Sequence, residues 1–346
     1  MAIAFLAARF SKIDGRGGGL TVVCLIASIF SLAFAIEPRL IRIGTGGSSG
    51  TYFPIGTLIA ESIGQSLNDT SDPSSTSRLI VLPQRSSGSV ANVKDIGDGL
   101  LESGFAQANV AHWAYHGIGP FEQHGPITDI RALATLYFES LHLVAHVDSG
   151  IAGIADLVGN RVSVDEIGSG TELDVQAVLD SFDVSKNDLE LVYLKPADSI
   201  DRLRQNNLDA FFIVAGYPIS GVSELIEEGI ATLVPIVGPE IDVLLTDHPF
   251  FTADEIPADA YSNSSAVRTL AVAAQWIISS DIEDDLVFDI TKNLWSQNTH
   301  QTLVKNHQKG KELIESAALK GIGIPLHAGA YRYYEQAGLA VKDLPY

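Results

Sequence analysis

Three turns rich in glycine, serine and threonine carry most of the side chains in this 346-residue chain that could do chemistry. They read Gly44-Thr45-Gly46-Gly47-Ser48-Ser49-Gly50-Thr51, Gln84-Arg85-Ser86-Ser87-Gly88-Ser89 and Gly168-Ser169-Gly170-Thr171-Glu172. Each lies between an apolar run that reads as a strand and one that reads as a helix. Four chemistries compete for the first turn. Gly46 to Gly50 matches G-x-S-x-G, the nucleophile elbow of α/β hydrolases, with Ser48 as nucleophile. No earlier strand or loop is left, however, to complete the oxyanion hole. A dinucleotide fingerprint needs an acidic residue closing the second strand, where the chain reads Leu82-Pro83-Gln84. A phosphate loop needs G-K-[ST], and no lysine lies between Arg42 and Lys94. The fourth chemistry is capture without reaction. Glycines allow close approach, free backbone N–H groups point out of a helix start, and Thr45, Ser48, Ser49 and Thr51 add hydroxyls.

The recurrence of the turn favours the fourth chemistry. A helix N-terminus carries about half a positive charge, so several converging starts would hold a carboxylate or another anion from opposite sides. The plain alternative is that all three turns are ordinary N-caps, where Ser and Thr belong in any case. His112 and His116 stand four apart on an expected helix, the spacing of a zinc pair, with His124 in the loop that follows. No glutamate intervenes as in a protease, and neither a metal nor any other cofactor is expected.

The elements that must position these turns alternate strand and helix along the chain. Strand-like runs at 40–43, 79–82, 103–108, 161–164, 189–194, 208–214 and 231–235 are separated by helical stretches at 54–67, 90–101, 154–157, 172–182, 199–206 and 221–228. This is the signature of βαβ units and mostly parallel sheets. Two further apolar strands, 130–137 and 141–147, are joined only by Phe138-Glu139-Ser140, and a long strand at 269–278 has no helix on its N-terminal side. Long strands of this kind suit a hinge between two α/β lobes. The expected organisation is 1–35 signal peptide, 36–138 first part of lobe 1, 139–270 lobe 2, and 271–346 the rest of lobe 1 with helices at 282–295 and 300–316. A ligand would bind in the crevice at the carboxyl ends of the strands. The polar segment 68–77 reads as a surface loop.

Composition sets the setting. Arg9, Lys12 and Arg16 precede an apolar run at 20–34, and Ala33-Phe34-Ala35 is a small-x-small cleavage site, so export to the periplasm with cleavage after Ala35 is expected. The only cysteine, Cys24, lies in that segment; the remainder needs neither disulfides nor a reducing compartment. Removal of 1–35 leaves 19 basic against 41 acidic residues, a net charge of −22. That balance argues against nucleic acid and anionic membrane surfaces as partners.

At these residues the chain resembles the solute-binding receptors of the TAXI branch of tripartite ATP-independent periplasmic (TRAP) transporters. The resemblance runs through IGTGGSSGTYFPIG from Ile43, GSVANV from Gly88, FAQANVAHWAYHG from Phe105, the 130–151 segment, RVSVDEIGSGTEL from Arg161, LDAFFIVAGYP from Leu208 and IPLHAGAYRYYEQAGL from Ile324. It implies a two-lobed periplasmic-binding-protein fold that closes on a small organic anion, a carboxylate or glutamate-like, and hands it to TRAP-type membrane permease subunits driven by an ion gradient. By matching motifs, Thr45, Gly47, Ser48, Ser49 and Tyr52 would offer donors and a stacking ring from lobe 1, with Ser87, Gln107 and Asn109 beside them; Arg85, the only cation near these loops, would either clamp a carboxylate or stay on the surface. Ser169, Gly170 and Thr171 would answer from lobe 2, with Gly216 and Pro218 as a far wall and Tyr137 reaching in from the hinge. Similar receptors often carry aspartate where Asn109 stands, so an amine on the ligand is not expected. Glu172 is expected to support its helix start, and His327 to fix the C-terminal turn. Two alternatives from other classes stay open: a secreted serine hydrolase using Ser48, and a sensory receptor reporting to a signalling partner.

Overall fold

The computed structural model describes residues 38–68, 79–261 and 265–341. The expected signal segment and nearly all of 68–77 lie outside them. The chain opens as expected: β1 (Arg39–Gly44), β2 (Leu79–Gln84) and β3 (Ser103–Gln107) are parallel, in the order β2-β1-β3. Each feeds a helix, α1 (Tyr52–Leu67), α2 (Ser89–Gly97) or α3 (Ala108–His116). The strands bury Ile41, Ile43 and Phe105 against Ile55, Ile59, Ile63 and Val93 of the helices.

Two long strands carry the sheet from one lobe into the other. β4 (Ile130–His146) runs 17 residues without interruption, so the two strands expected at 130–137 and 141–147 are one. The physical reason lies in Phe138-Glu139-Ser140, which contains no glycine or proline to turn the chain. These residues pair with Ala273, Val272 and Ala271 of β10 (Val267–Ser279), and Ser140 also begins the pairing with Ala215 of β7 (Ala210–Ala215). On the lobe 1 side β10 pairs antiparallel with β3 and β4. On the lobe 2 side β10 pairs with β9 (Phe251–Ile256), and β4 with β7 and β8 (Ala231–Val234). Beyond β7 lie β5 (Arg161–Ser163) and β6 (Glu190–Val192), parallel to it and to each other. One mixed sheet therefore threads both lobes.

Helices α4 (Gly170–Ser181), α5 (Pro196–Arg204), α6 (Ser220–Glu227) and α7 (Pro239–Asp247) flank the lobe 2 strands. Then α8 (Asp284–Leu294), α9 (Gln297–Asn306) and α10 (Ala328–Gln336) return to lobe 1. The buried apolar residues divide accordingly. One cluster joins Phe105 and Leu133 to Trp276, Ile290 and Tyr334. Two others lie on opposite faces of β7, Phe212 in one and Phe211 with Ile213 in the other, as strand alternation dictates. The run at 154–157 is a single 3₁₀ turn. The helix expected at 300–316 ends at Asn306, because His307 is extended and caps a 3₁₀ turn, its Nδ1 accepting from the Lys309 amide at 3.1 Å.

Candidate functional site: a cleft between the lobes

All three turns reach one cleft. Its walls are Gly46, Gly47, Gly50, Thr51 and Tyr52 before α1, Ser87, Gly88 and Ser89 before α2, and Gln107 at the start of α3. From lobe 2 come Asp165, Glu166 and Ser169 before α4, Gly170 and Thr171 in its first turn, Pro196 at the start of α5, and Ile213 and Val214; Glu139 enters where β4 crosses between lobes. Five helix starts thus converge on one space, three from lobe 1 and two from lobe 2, the second of these at Pro196 of α5. The volume open to the centre of a water-sized sphere is about 60 Å³, several times the roughly 10–15 Å³ one water needs. That is room for a small solute.

The lobes are closed on each other around this space. The Ala91 amide donates to the Gly168 carbonyl at 3.1 Å. The Ser87 hydroxyl donates to Glu166 Oε2 at 3.0 Å, and the Asn109 amide group to Asp174 Oδ1 at 2.7 Å. Thr51 Oγ1 lies between the backbone of Gly216, accepting from its N–H at 2.9 Å and 3.1 Å from its carbonyl. Two glycines permit this fit. Gly88 has φ of 111° and presses on Ser169, whose Cα would lie 3.6 Å from a Cβ at Gly88. A Cβ at Gly170 would lie 1.9 Å from Gln107 Oε1.

The electrostatics were not foreseen. Among the described lining residues there is no Lys or Arg, while Glu139, Asp165 and Glu166 are acids. Burial pushes the Glu139 carboxyl up to about 8, opposed by the Tyr52 hydroxyl and Lys309 and reinforced by Asp174. Burial lifts Asp174 to about 8 as well, against hydrogen bonds from Asn109 and Gln107. Asp165 is pushed up to about 7 by burial, against donors from the Glu166 amide, Thr171 and Ser169. Asp165 also has φ of 75°, a left-handed backbone that Asp tolerates better than most residues. Gln107 Oε1 and Asp174 Oδ2 are buried without a hydrogen-bond partner. No motif marks these acids out as ligand groups. Glu139 sits inside an apolar strand, and Asp174 is one acid among the 42 acidic residues of the chain. The only legible hint was an acid in the tripeptide between two apolar runs.

Of the residues singled out in the sequence, Gly47, Tyr52, Ser87, Gln107, Ser169, Gly170 and Thr171 line the cleft. Tyr52 serves the core too, with its ring edge-on to Phe105 at 5.6 Å. The others lie elsewhere. Thr45 is fully buried and ties its turn to β2, its hydroxyl donating to the Gln84 carbonyl at 2.8 Å. Ser48, Ser49, Gly216 and Pro218 line a separate hollow with Arg204 and His307. Arg85 lays its guanidinium over the Phe53 ring, 4.6 Å from the centroid. Asn109 is buried on Asp174, which removes it from the cleft surface and removes the argument against an amine on the ligand. Tyr137 is buried, and its hydroxyl has no partner. Glu172 pairs with Lys186 at 2.9 Å, and its amide donates to the Ser169 hydroxyl that caps α4. His327 caps α10, its Nδ1 accepting from Gly329 N–H at 3.1 Å. The His112 and His116 rings are 4.5 Å apart, and no group of three metal-ligating side chains occurs among the described residues.

Residues 43–338 match the NMT1-like family, and the chain belongs to it. Among solved structures it is similar to a protein from Bordetella bronchiseptica RB50, at 14% identity and a TM-score of 0.53, over 88% of this chain and 91% of that one. A structure described as a periplasmic transporter matches at 11% identity and a TM-score of 0.52, over 88% and 94%. The alkanesulfonate-binding protein SsuA from Xanthomonas axonopodis pv. citri, bound to MOPS, matches at 15% identity and a TM-score of 0.49, over 88% and 82%. The fold is the α/β periplasmic-binding-protein type, two lobes joined by crossing strands. Among the described residues no helix is long and apolar enough to cross a membrane.

Proposed function

We propose that this chain is an extracytoplasmic receptor that captures a small organic anion, a carboxylate or glutamate-like solute, and delivers it to TRAP-type permease subunits. The observation that carries the reading is the convergence of five helix starts from both lobes on one small cleft. Backbone N–H groups at helix starts favour negative charge. The Ser89 hydroxyl adds a neutral donor, while those of Ser87, Ser169 and Thr171 are turned to Glu166 and Asp165. Because each lobe supplies part of the contact set, the solute is held fully only when the lobes close, and it shifts an open–closed equilibrium toward the closed state. The ordered motifs that resemble TAXI receptors support the TRAP partner. The secretory pattern of 1–35 supports a periplasmic location, and lobe boundaries at 138/139 and 270/271 follow the crossing strands.

The experiment is native mass spectrometry of the purified protein for a co-purifying small molecule, followed by calorimetry with that compound. A bound carboxylate of a few carbons is the expected result. A co-purifying cation or a large apolar compound refutes the anion reading.

A further inference from the structure

The anion reading meets an obstacle in the cleft itself. The wall contains acids and, among the described residues, no basic side chain. Glu139 is the most enclosed of them at 2% exposure, and it sits at the point where β4 leaves one lobe for the other. A buried carboxylate is stable only with a counter-charge or with a proton.

The neighbours of Glu139 decide which. From α1 comes the Tyr52 hydroxyl, and from β4 itself Tyr137. From α4 comes Asp174, a like charge whose Oδ2 has no partner. The β10 residue paired with Glu139 is Val272, which is apolar. The turn before α4 adds Asp165 and Glu166 to the same cleft. The single cation nearby among the described residues is Lys309, in the turn after α9. It is already held by Glu312 at 2.8 Å and lies over the Tyr217 ring, 4.1 Å from the centroid. Opposite the acids stands the buried carbonyl Oε1 of Gln107, an acceptor without a donor. Among the described residues no unpaired cation faces Glu139, and an anionic solute would worsen its position if the carboxylate were ionised.

We infer that Glu139 meets the solute as a neutral acid, so that closure takes up a proton together with the anion; this rests on the anion reading above. The protonated carboxyl is then a donor, not a repelling charge. In the open form solvent lets Glu139 ionise, and closing moves it into the desolvated site where only the neutral form persists. The proton comes from bulk water and is released when the lobes reopen. Linkage requires that affinity fall about tenfold per pH unit for each proton taken up.

The test uses the intact mature protein and four probes: succinate, 2-oxoglutarate, glutamate and putrescine. Calorimetry at pH 5.5 and 7.5, in buffers of different ionisation enthalpy, counts protons per solute bound. Expected is a carboxylate that binds about a hundredfold more weakly at pH 7.5, with about one proton fewer taken up in Glu139→Gln than in the wild type. Should that variant not fold, an infrared difference spectrum of the wild type carries the decision: a protonated-carboxyl band appears with the solute. A carboxylate bound equally at both pH values overturns the proton inference and leaves the anion reading standing. So does a proton count unchanged by the substitution, or a spectrum without the new band. Tight binding of putrescine alone, or of no probe at either pH, overturns the anion reading and the inference with it.

Discussion

The two walls of the cleft are built from the same kind of strand-to-helix turn, yet they differ in charge. Lobe 1 brings three helix starts, glycines, hydroxyls and the neutral Gln107. Lobe 2 brings one helix start in the same Gly-Ser-Thr idiom, but behind it stand Asp165 and Glu166 on the wall and Asp174 below. The contacts between walls follow that difference: serine and asparagine side chains of lobe 1 donate, and carboxylates of lobe 2 accept. Closure is therefore stabilised by hydrogen bonds whose strength depends on the state of buried acids. Similar local sequence does not make two walls equivalent, because each turn inherits the charge of the residues packed beneath it.

The sharpest way to break the symmetry of fit is Gly170→Val. Its added atoms would enter the space of Gln107 and Ser89. Overpacking of that kind costs about 3 kcal/mol on the closed state, or more than a hundredfold in affinity. Calorimetry with the carboxylate selected by thermal-shift screening checks it. An unchanged affinity would mean that the walls do not meet in the bound form. Asn109→Ala comes next. It removes the buried donor from Asp174, worth about 2 kcal/mol, and a loss of about thirtyfold in affinity is expected by the same assay.

The difference in charge predicts a pH profile. The folded pKa values of Glu139, Asp174 and Asp165 are raised above those of the unfolded chain. Their contribution is complete below the unfolded range near 4 and is lost as pH rises toward about 8. His142 runs the other way. Burial depresses it to about 4, so stability is lost as pH falls from about 6.5, the unfolded value, toward 4. Differential scanning calorimetry is expected to show a melting temperature several degrees lower at pH 8 than at pH 5.5. A flat or rising profile would contradict the burial of the lobe 2 acids. The smallest effect is expected from Ser169→Ala, which removes the N-cap hydrogen bond of α4 at 3.1 Å. It should cost about 1 kcal/mol of stability in urea denaturation, with no loss of secondary structure.

Much of the architecture was legible because its cause is local. The alternation of apolar strands with helical stretches, the Gly-Ser-Thr turns and the crossing strands all follow from short-range pattern. The unbroken β4 was misread because Phe138-Glu139-Ser140 looks like a break in an apolar run, whereas pairing with β10 holds it extended. α7 and β9 were not expected, since both are short and the first begins at a Gly238-Pro239 step that reads as a turn. Within the site, the residues found are those in glycine-rich turns. The residues missed, Glu139, Asp165 and Asp174, are single acids whose role depends on what surrounds them.

The amino-acid sequence by itself determined the two-lobed α/β plan and the turns that would face a ligand, because periodicity and turn chemistry act over a few residues. Tertiary structure alone decided which side of each turn meets the cleft, sending Gly47 and Ser169 to it and Ser48 and Thr45 away. It also placed Asn109 on Asp174, 65 positions along the chain, and enclosed Glu139 where the nearby cation among the described residues, Lys309, is paired with Glu312. Burial and long-range contact set the charge of a carboxyl group, and neither is written in its neighbours along the chain.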